Sequence, residues 1–262
     1  AMKDLTPDEV TVYDLKDPSL NLEGLPKVAL IYQIHAVGLY YNSYLYGYPY
    51  ANLLPTVLHP NELLDGAVMD DNWASPHSRS ATYQHINSPL VKELYARHGK
   101  TINFVGVIFL RGRFEEMEGK KRCSNKVASI AEVMGCDGAI VSWEGEGNTF
   151  IEVMLNVKEC ERRGIKTVLV TSELGGHDGT EDSLFYSEAA ADAIVSVGSW
   201  HRPITLPPME RVAGVGDHYV RLEPEKGLVA YDAYKEIKLP EHYDLFEASN
   251  KFGMTNRSCA DF

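Results

Sequence analysis

Two polar, glycine-rich loops carry the residue types best suited to chemistry in this sequence. The first, residues 143–148, reads WEGEGN and holds two carboxylates, and the second, residues 172–182, contains Glu173, His177 and Asp178. Carboxylates and imidazoles can carry protons or bind a cationic group. These loops therefore indicate acid–base chemistry or recognition of an ammonium group.

The segments around the two loops predict a strand–helix–strand unit. Residues 139–142 are an apolar run, residues 149–163 place apolar side chains at helical spacing before Gly164, and residues 167–170 are mostly β-branched. Parallel strands need such a crossover helix. Ligands of parallel sheets lie beyond the carboxyl ends of the strands, so both loops are predicted at the ligand-binding edge.

Further strands and helices alternate along the rest of the chain. The remaining strands are predicted at residues 27–35, 102–110 and 193–197, and the remaining helices at residues 61–69, 88–99, 124–134 and 187–191. This alternation predicts an α/β fold: a doubly wound, mainly parallel sheet with helices on both faces, plus a C-terminal arm. We expect residues 1–26 to lead into the α/β domain at residues 27–214, and residues 215–262 to wrap the domain or a partner.

Composition and charge exclude several classes of function. The chain has 262 residues and a net charge of −12, which argues against a nucleic acid or an anionic membrane surface as partner. No apolar run reaches the length of a membrane span. The four cysteines form no CxxC pair, so we expect a reduced, cytoplasmic setting with Cys136 and Cys160 buried.

The loop motifs leave alternatives open. The GEGN loop lacks the full GxGxxG pattern and its acids would repel a phosphate, so we favour a turn with Asn148 or Thr149 capping the next helix. Glu144 and Glu146 fit either a solvated turn or contact with a cationic substrate. Residues 173–181 hold four acids and histidines, but their spacing matches no metal motif, and no metal site is predicted there.

Six tyrosines lie between residues 40 and 50. Their rings fit an aromatic cage for a methylated ammonium group or, as we favour, packing against the sheet or a partner subunit. The chain contains no HExxH pair, GxSxG elbow or Walker lysine, which argues against the corresponding hydrolases and P-loop enzymes.

Several longer stretches are distinctive together. They are LYGYPYANLLPTVLHPNELLDGAV (45–68), TYQHINSPLVKELYARHGKTINFVGVI (82–108), CDGAIVSWEGEGNT (136–149), GIKTVLVTSELGGHDGTEDSL (164–184), ITLPPMERVAG (204–214) and the tail NKFGMTN (250–256). Through them the chain resembles the carboxyl-terminal part of the glycine/sarcosine/betaine reductase component B α/β proprotein, and more distantly the D-proline reductase proprotein.

This resemblance implies a subunit of a multimeric reductase. In that family a partner subunit with a redox-active cysteine or selenocysteine cleaves a C–N bond of an amino acid or its N-methylated form. A pyruvoyl group, made by cleavage of the proprotein before a cysteine, activates free amines. This chain has no cysteine before Cys123, so we expect no cofactor in the chain itself. If Met2, which follows a lone Ala1, is the native start, we expect a split-gene relative.

The interpretation that combines these observations is a component-B-like reductase subunit acting on a small amine, amino acid or betaine-type substrate, in a hetero-oligomer. Catalytic roles are predicted for His85, Glu144 and Glu173. Substrate-binding roles are predicted for Tyr83, Asn148 and Asp178. The alternative is a non-catalytic structural or substrate-presenting subunit that serves a redox-active partner chain.

Overall fold

The structure is a computed structural model. The residues that it describes are 12–35, 43–70, 79–112, 114–145, 147–173, 176, 178, 180, 184–199, 201, 203–213, 216–223 and 226–241. The strands are β1 (Lys27–Ile34), β2 (Ser43–Leu45), β3 (Tyr48–Pro49), β4 (Thr56–Leu58), β5 (Val68–Asp70), β6 (Asn103–Arg111), β7 (Gly138–Trp143), β8 (Lys166–Thr171), β9 (Ile194–Ser196), β10 (Ile204–Leu206), β11 (His218–Glu223), β12 (Gly227–Asp232) and β13 (Ile237–Leu239). The helices are α1 (Pro60–Leu64), α2 (Thr82–Ile86), α3 (Pro89–Arg97), α4 (Met117–Val133) and α5 (Thr149–Arg162).

A six-stranded sheet with the order β4-β6-β1-β7-β8-β9 forms the centre of the molecule. Five of these strands run parallel, and β4 pairs antiparallel with β6 at the edge. Numbered by their succession along the chain, the five parallel strands have the order 2-1-3-4-5, one of the two common orders of doubly wound sheets. The predicted α/β fold class is confirmed.

Each face of the sheet is covered by its own hydrophobic core. On one face, Ala29 and Ile31 of β1 belong to a cluster with side chains of α4 and α5. On the other face, Leu30 and Tyr32 of the same strand belong to a cluster with side chains of α1 and α3. Successive side chains of a strand point to opposite faces, so the unbroken apolar run of β1 matches a strand buried on both sides.

Local sequence signals explain where α3 begins and where α5 ends. Ser88 precedes Pro89 at the start of α3, and its hydroxyl accepts a hydrogen bond from the Val91 N–H at 3.4 Å. This is the predicted cap followed by proline at the first helical position. At the end of α5, Gly164 follows the helix with a φ of +79°, a conformation that favours glycine.

Several predicted elements differ from the structure. The helix predicted at residues 61–69 is only the short α1, because Gly66 turns the chain with a φ of +91° into β5. The helix predicted at residues 187–191 is wrong, since this segment contains only a turn at residues 189–190. Helix α4 starts seven residues before the predicted 124, because its first two turns are rich in charged residues and show no apolar periodicity.

Past the central sheet, the described chain forms short antiparallel pairs. Strands β11 and β12 make a hairpin, and β13 pairs with β10. The proposed division into an N-terminal arm, a domain at 27–214 and a wrapping C-terminal arm stays a prediction. None of the helices within the described ranges combines the length and the apolar character needed to cross a bilayer.

Candidate functional site

The strand order makes the carboxyl ends of β1 and β7 the topological switch point of the sheet. From β1 the chain crosses to β6 on one side, and it later returns as β7 on the other side of β1. Where connections leave in opposite directions, the carboxyl ends of the two strands flank an opening, and doubly wound sheets bind their ligands there. His35 directly follows β1, and Glu144 directly follows β7.

Glu144 is held at this switch point by backbone hydrogen bonds. Its Oε2 accepts the N–H of His35 at 2.9 Å, and its Oε1 accepts the N–H of Ser80 at 2.6 Å. Its own N–H donates to the Gln33 carbonyl at 2.8 Å, which extends the β1–β7 pairing by one step. The side chain is completely buried, so the carboxyl group is fixed in place.

Two polar side chains bracket the ring of His85. Its Nδ1 lies 2.8 Å from the hydroxyl of Tyr32 in β1, and its Nε2 lies 2.5 Å from Asp70 Oδ2 at the end of β5. The same Nε2 is 3.9 Å from Glu144 Oε1. The side chains of Asp70, His85 and Glu144 have no solvent exposure, and we call these three residues the switch-point cluster.

A threonine ties Asp70 to the helix that carries His85. The Thr82 hydroxyl, at the start of α2, accepts the Asp70 N–H at 3.0 Å and donates to the Asp70 carbonyl at 3.1 Å. This pair of bonds fixes the end of β5 against the first turn of α2. His85, one turn later, is thereby held against the Asp70 carboxylate.

The electrostatic setting of Glu144 reflects its burial. Loss of solvation raises the pKa of Glu144 to about 8, and the negative charge of Asp70 acts in the same direction. The positive charges of His85 and Arg79, and the hydrogen bond from Ser80, oppose this rise in the pKa. Two buried acidic groups so close together call for a compensating positive charge or a proton.

His85 and Glu144 are the predicted catalytic residues that the structure brings together. Glu173, the third, is partly buried after β8, and its N–H donates to the Gly198 carbonyl at 3.0 Å near the end of β9. Its predicted role is untested.

The predicted substrate-binding residues lie on the surface. Tyr83 is 66% exposed on α2. Asn148 is exposed at the N-cap position of α5, one of the two residues predicted to cap this helix, but its side chain makes no capping hydrogen bond. Asp178 is exposed, and its Oδ1 accepts the Thr180 N–H at 3.1 Å within a local turn. Glu146 and His177 lie outside the described residues.

Asp70, Tyr32 and Arg79 were not among the predicted site residues. Asp70 belongs to a polar stretch that looks like the start of a loop, and Tyr32 lies inside an apolar run typical of core. Arg79 is only 2% exposed. One signal was available for Asp70, namely the short apolar run before it, which indicates a strand that ends in an acid.

The described cysteines do not supply a reactive thiol. Cys123, Cys136 and Cys160 are free and buried, as predicted for the last two. Burial raises the thiol pKa to about 12 for Cys123, about 11 for Cys136 and about 12 for Cys160. Since the thiolate is the nucleophilic form, these thiols are unreactive at neutral pH.

The tyrosine-rich segment divides into packed and exposed rings. Tyr50 is fully buried, and its hydroxyl donates to the Phe109 carbonyl at 2.8 Å, in line with the packing that we favoured. Tyr46 and Tyr48 are 60% and 71% exposed. Tyr40 and Tyr41 lie outside the described residues.

Comparison with known proteins gives a consistent result. The chain is 41% identical over 217 residues to the glycine reductase complex component B subunits alpha and beta of Peptoclostridium acidaminophilum. From the same organism, the sarcosine reductase complex component B subunit alpha is 37% identical and the betaine reductase complex component B subunit alpha is 38% identical, each over 218 residues.

These three alignments cover 81–82% of this chain, but the chain spans only about half the length of the relatives that it matches. No solved structure matches the chain. The family model described as glycine/sarcosine/betaine reductase component B subunits matches residues 1–256. The chain therefore belongs to the glycine/sarcosine/betaine reductase component B family.

Proposed function

We propose that this chain is a subunit of a component-B-type reductase complex that cleaves the C–N bond of a small amine, amino acid or betaine-type substrate. Family membership supports the proposal, as do the relatives named for glycine, sarcosine and betaine. These three compounds share a carboxymethyl group on nitrogen and differ only in N-methylation. A common site for the shared part would serve all of them.

The observation that carries the site assignment is the meeting of His85 and Glu144 at the switch point between β1 and β7. The two residues are 59 positions apart in sequence, and their polar atoms lie 3.9 Å apart. Within this proposal they contact the bound substrate, and Glu173 is an acidic partner at the neighbouring strand end. Tyr83, Asn148 and Asp178 would meet the substrate, or the partner chain that delivers it, from the exposed side.

The electrons for the reaction come from a partner chain. Reductive cleavage of R–NR3⁺ to R–H and NR3 consumes two electrons and one proton. The three described cysteines are buried with raised thiol pKa values, which makes them poor electron donors. We propose that a redox-active cysteine or selenocysteine of the partner supplies the electrons, and that this chain carries no pyruvoyl group of its own.

Reconstitution tests the proposal. The chain is combined with the other components of the complex from its native source, and release of the amine is measured with glycine, sarcosine and betaine. We expect Glu144→Gln to abolish amine release while the complex still assembles on gel filtration. Glu93→Gln is the matched control, because Glu93 lies in an exposed ion pair with Arg97. Absence of amine release with wild-type chain and all three substrates would contradict the proposal.

The second candidate is a structural or substrate-presenting subunit without chemistry of its own. The complete burial of the switch-point cluster favours it, because a closed polar cluster can serve the stability of the fold. The same experiment separates the two candidates. Wild-type amine release by a fully assembled Glu144→Gln complex would assign the chemistry to the partner alone.

A further inference from the structure

The switch-point cluster unites the ligand types of a metal centre. Asp70, His85 and Glu144 each offer one donor atom, and these three atoms lie within 4.8 Å of one another. We infer that Asp70, His85 and Glu144 bind a divalent first-row transition-metal ion, of the class of Mn²⁺, Fe²⁺ or Zn²⁺. The inference concerns what this chain binds, so it does not depend on the proposed reaction.

The distances are close to those that a bound ion requires. Nitrogen and carboxylate ligands lie about 2.0–2.2 Å from such an ion, so two ligands of one ion are roughly 3–3.5 Å apart. His85 Nε2 is 2.5 Å from Asp70 Oδ2 and 3.9 Å from Glu144 Oε1. Changes of about half an ångström bring both His85 distances into this range, and the Asp70–Glu144 pair, within 4.8 Å, has to close by roughly 1.3 Å at most.

A second observation at Asp70 points to a ligand. Asp70 Oδ1 is buried and has no hydrogen-bond partner among the described residues, while Oδ2 contacts His85. Buried polar atoms are almost always satisfied, and an exception calls for an explanation such as an ion. A cation that is bound by both oxygens of this carboxylate would give Oδ1 the partner that it lacks.

The surroundings of the cluster are those of a metal centre. Ligating histidines are usually oriented by a hydrogen bond at the other ring nitrogen. The Tyr32 hydroxyl, 2.8 Å from Nδ1, fills that position and leaves Nε2 for the ion. The Glu144 carboxylate is oriented in the same way by the N–H groups of His35 and Ser80.

Charge and ligand type narrow the class of ion. The two carboxylates balance the two charges of a divalent cation, and the nearby Arg79 adds a further positive charge. A site with this balance suits water or an anionic group at the open coordination positions. The imidazole argues against Ca²⁺ and Mg²⁺, which prefer oxygen ligands, and the absence of thiolate among the three ligands fits Mn²⁺, Fe²⁺ or Zn²⁺.

Metal analysis of the isolated chain tests the inference. Bound metal is first removed from the full chain with a chelator. The chain is then incubated anaerobically with Mn²⁺, Fe²⁺ or Zn²⁺, one ion at a time, desalted, and its metal content is measured by elemental mass spectrometry. We expect about one equivalent of at least one of these ions per chain. Asp70→Asn, His85→Gln and Glu144→Gln should each weaken its binding at least tenfold in calorimetric titration.

Matched variants control for loss of fold. His98→Gln changes another buried histidine, whose Nδ1 accepts the Phe104 N–H at 3.0 Å, and Glu93→Gln changes an exposed carboxylate. Both should keep wild-type metal binding. Circular dichroism confirms the fold of each variant before titration.

A measurement on the wild type makes the test independent of variant folding. X-ray absorption of the Co²⁺-loaded chain should show only nitrogen and oxygen ligands. The inference is overturned if no ion is retained, if sulfur is found among the ligands, or if folded cluster variants bind as the wild type does. Failure of the complex to release an amine would leave these results unaffected, because they need no turnover.

Discussion

The Tyr32 hydroxyl is one of the groups that hold the ring of His85. Tyr32 contacts Nδ1, so Nε2 faces Asp70 and Glu144. We predict that Tyr32→Phe lowers the free energy of unfolding by about 1–3 kcal/mol, because a buried ring nitrogen loses its partner. It should also weaken cation binding roughly 10–100-fold, as loss of an orienting partner does. Urea denaturation and calorimetric titration measure the two effects.

Tyr50→Phe is the control for this prediction. Tyr50 is equally buried, and its hydroxyl donates to the Phe109 carbonyl at 2.8 Å, away from the cluster. Tyr50→Phe should lower the free energy of unfolding by a similar amount and keep wild-type cation binding. Equal cation binding by both variants would show that Tyr32 has no orienting role.

A second buried charge pair lies between α4 and α5. Lys120 Nζ is 3.0 Å from Glu152 Oε1, and both side chains are 2% exposed. Glu152 also accepts the N–H of Phe114. Removing one partner of a buried pair leaves an uncompensated charge. We therefore predict that Lys120→Met lowers the free energy of unfolding by about 3–5 kcal/mol at pH 7, measured by urea denaturation.

Lys158→Met provides the comparison for Lys120→Met. Lys158 pairs with Glu188 at the same 3.0 Å, but its side chain is 47% exposed. Exposed pairs contribute about 0–1 kcal/mol, so this variant should remain close to wild type. If the two variants lower the free energy of unfolding equally, the loss of Lys120 does not leave the charge of Glu152 uncompensated.

At the scale of elements, Gly112 allows the end of β6 to approach the start of α5. A Cβ at this position would lie 2.6 Å from Thr149 Cγ2 and 2.7 Å from Gln33 Nε2. We predict that Gly112→Ala lowers the free energy of unfolding by about 1–3 kcal/mol through overpacking, measured by urea denaturation.

A double-mutant cycle tests the cause of that loss. Thr149→Ser removes the methyl group that the new Cβ would meet, so in the Gly112→Ala background it should recover part of the stability. Neighbouring substitutions that share a contact are not additive. If the effects of the two substitutions on the free energy of unfolding are strictly additive, the loss in Gly112→Ala does not come from contact with the Thr149 methyl group.

The elements that could be predicted are those whose pattern is local. Long strands buried on both faces, such as β1 and β6, appear as apolar runs, and the start of α3 has a cap and a proline. Strand β4 was missed because it has only three residues, which lie between Pro55 and Pro60, and within the described residues it pairs with β6 alone. Proline is tolerated at a sheet edge, which is where β4 lies.

The candidate site could be predicted only in part, for a related reason. Glu144 follows a strand in the central unit, so the position of strand ends was enough to select it. Asp70 and Tyr32 gain their role from pairing with His85 across three separate elements, and no spacing in the chain reveals that contact. The surface position of Asn148 and Asp178 likewise depends on the conformation of their loops, which cannot be predicted from the residue types alone.

At the scale of the whole molecule, the cluster joins segments that are far apart in sequence. Asp70 and His85 come from β5 and α2, Glu144 directly follows β7, and Tyr32, which contacts His85, lies in β1. A ligand that holds these segments together binds the folded chain and not the unfolded one. Binding of that kind stabilises the fold by an amount set by ligand concentration and affinity.

Thermal unfolding with and without a cation therefore tests the cluster in the whole molecule. With free Mn²⁺, Fe²⁺ or Zn²⁺ at 100 times its dissociation constant, we predict a stabilisation of about 2.7 kcal/mol. For a chain of this size, this corresponds to a rise in Tm of roughly 5–10 °C. A chelator should reverse the rise, and His98→Gln should show it in full. In Asp70→Asn, at the same cation concentration, a loss of binding of at least tenfold should cut the stabilisation to about half or less, whatever the Tm of the metal-free variant. The same rise in Asp70→Asn as in wild type would place the cation elsewhere on the chain.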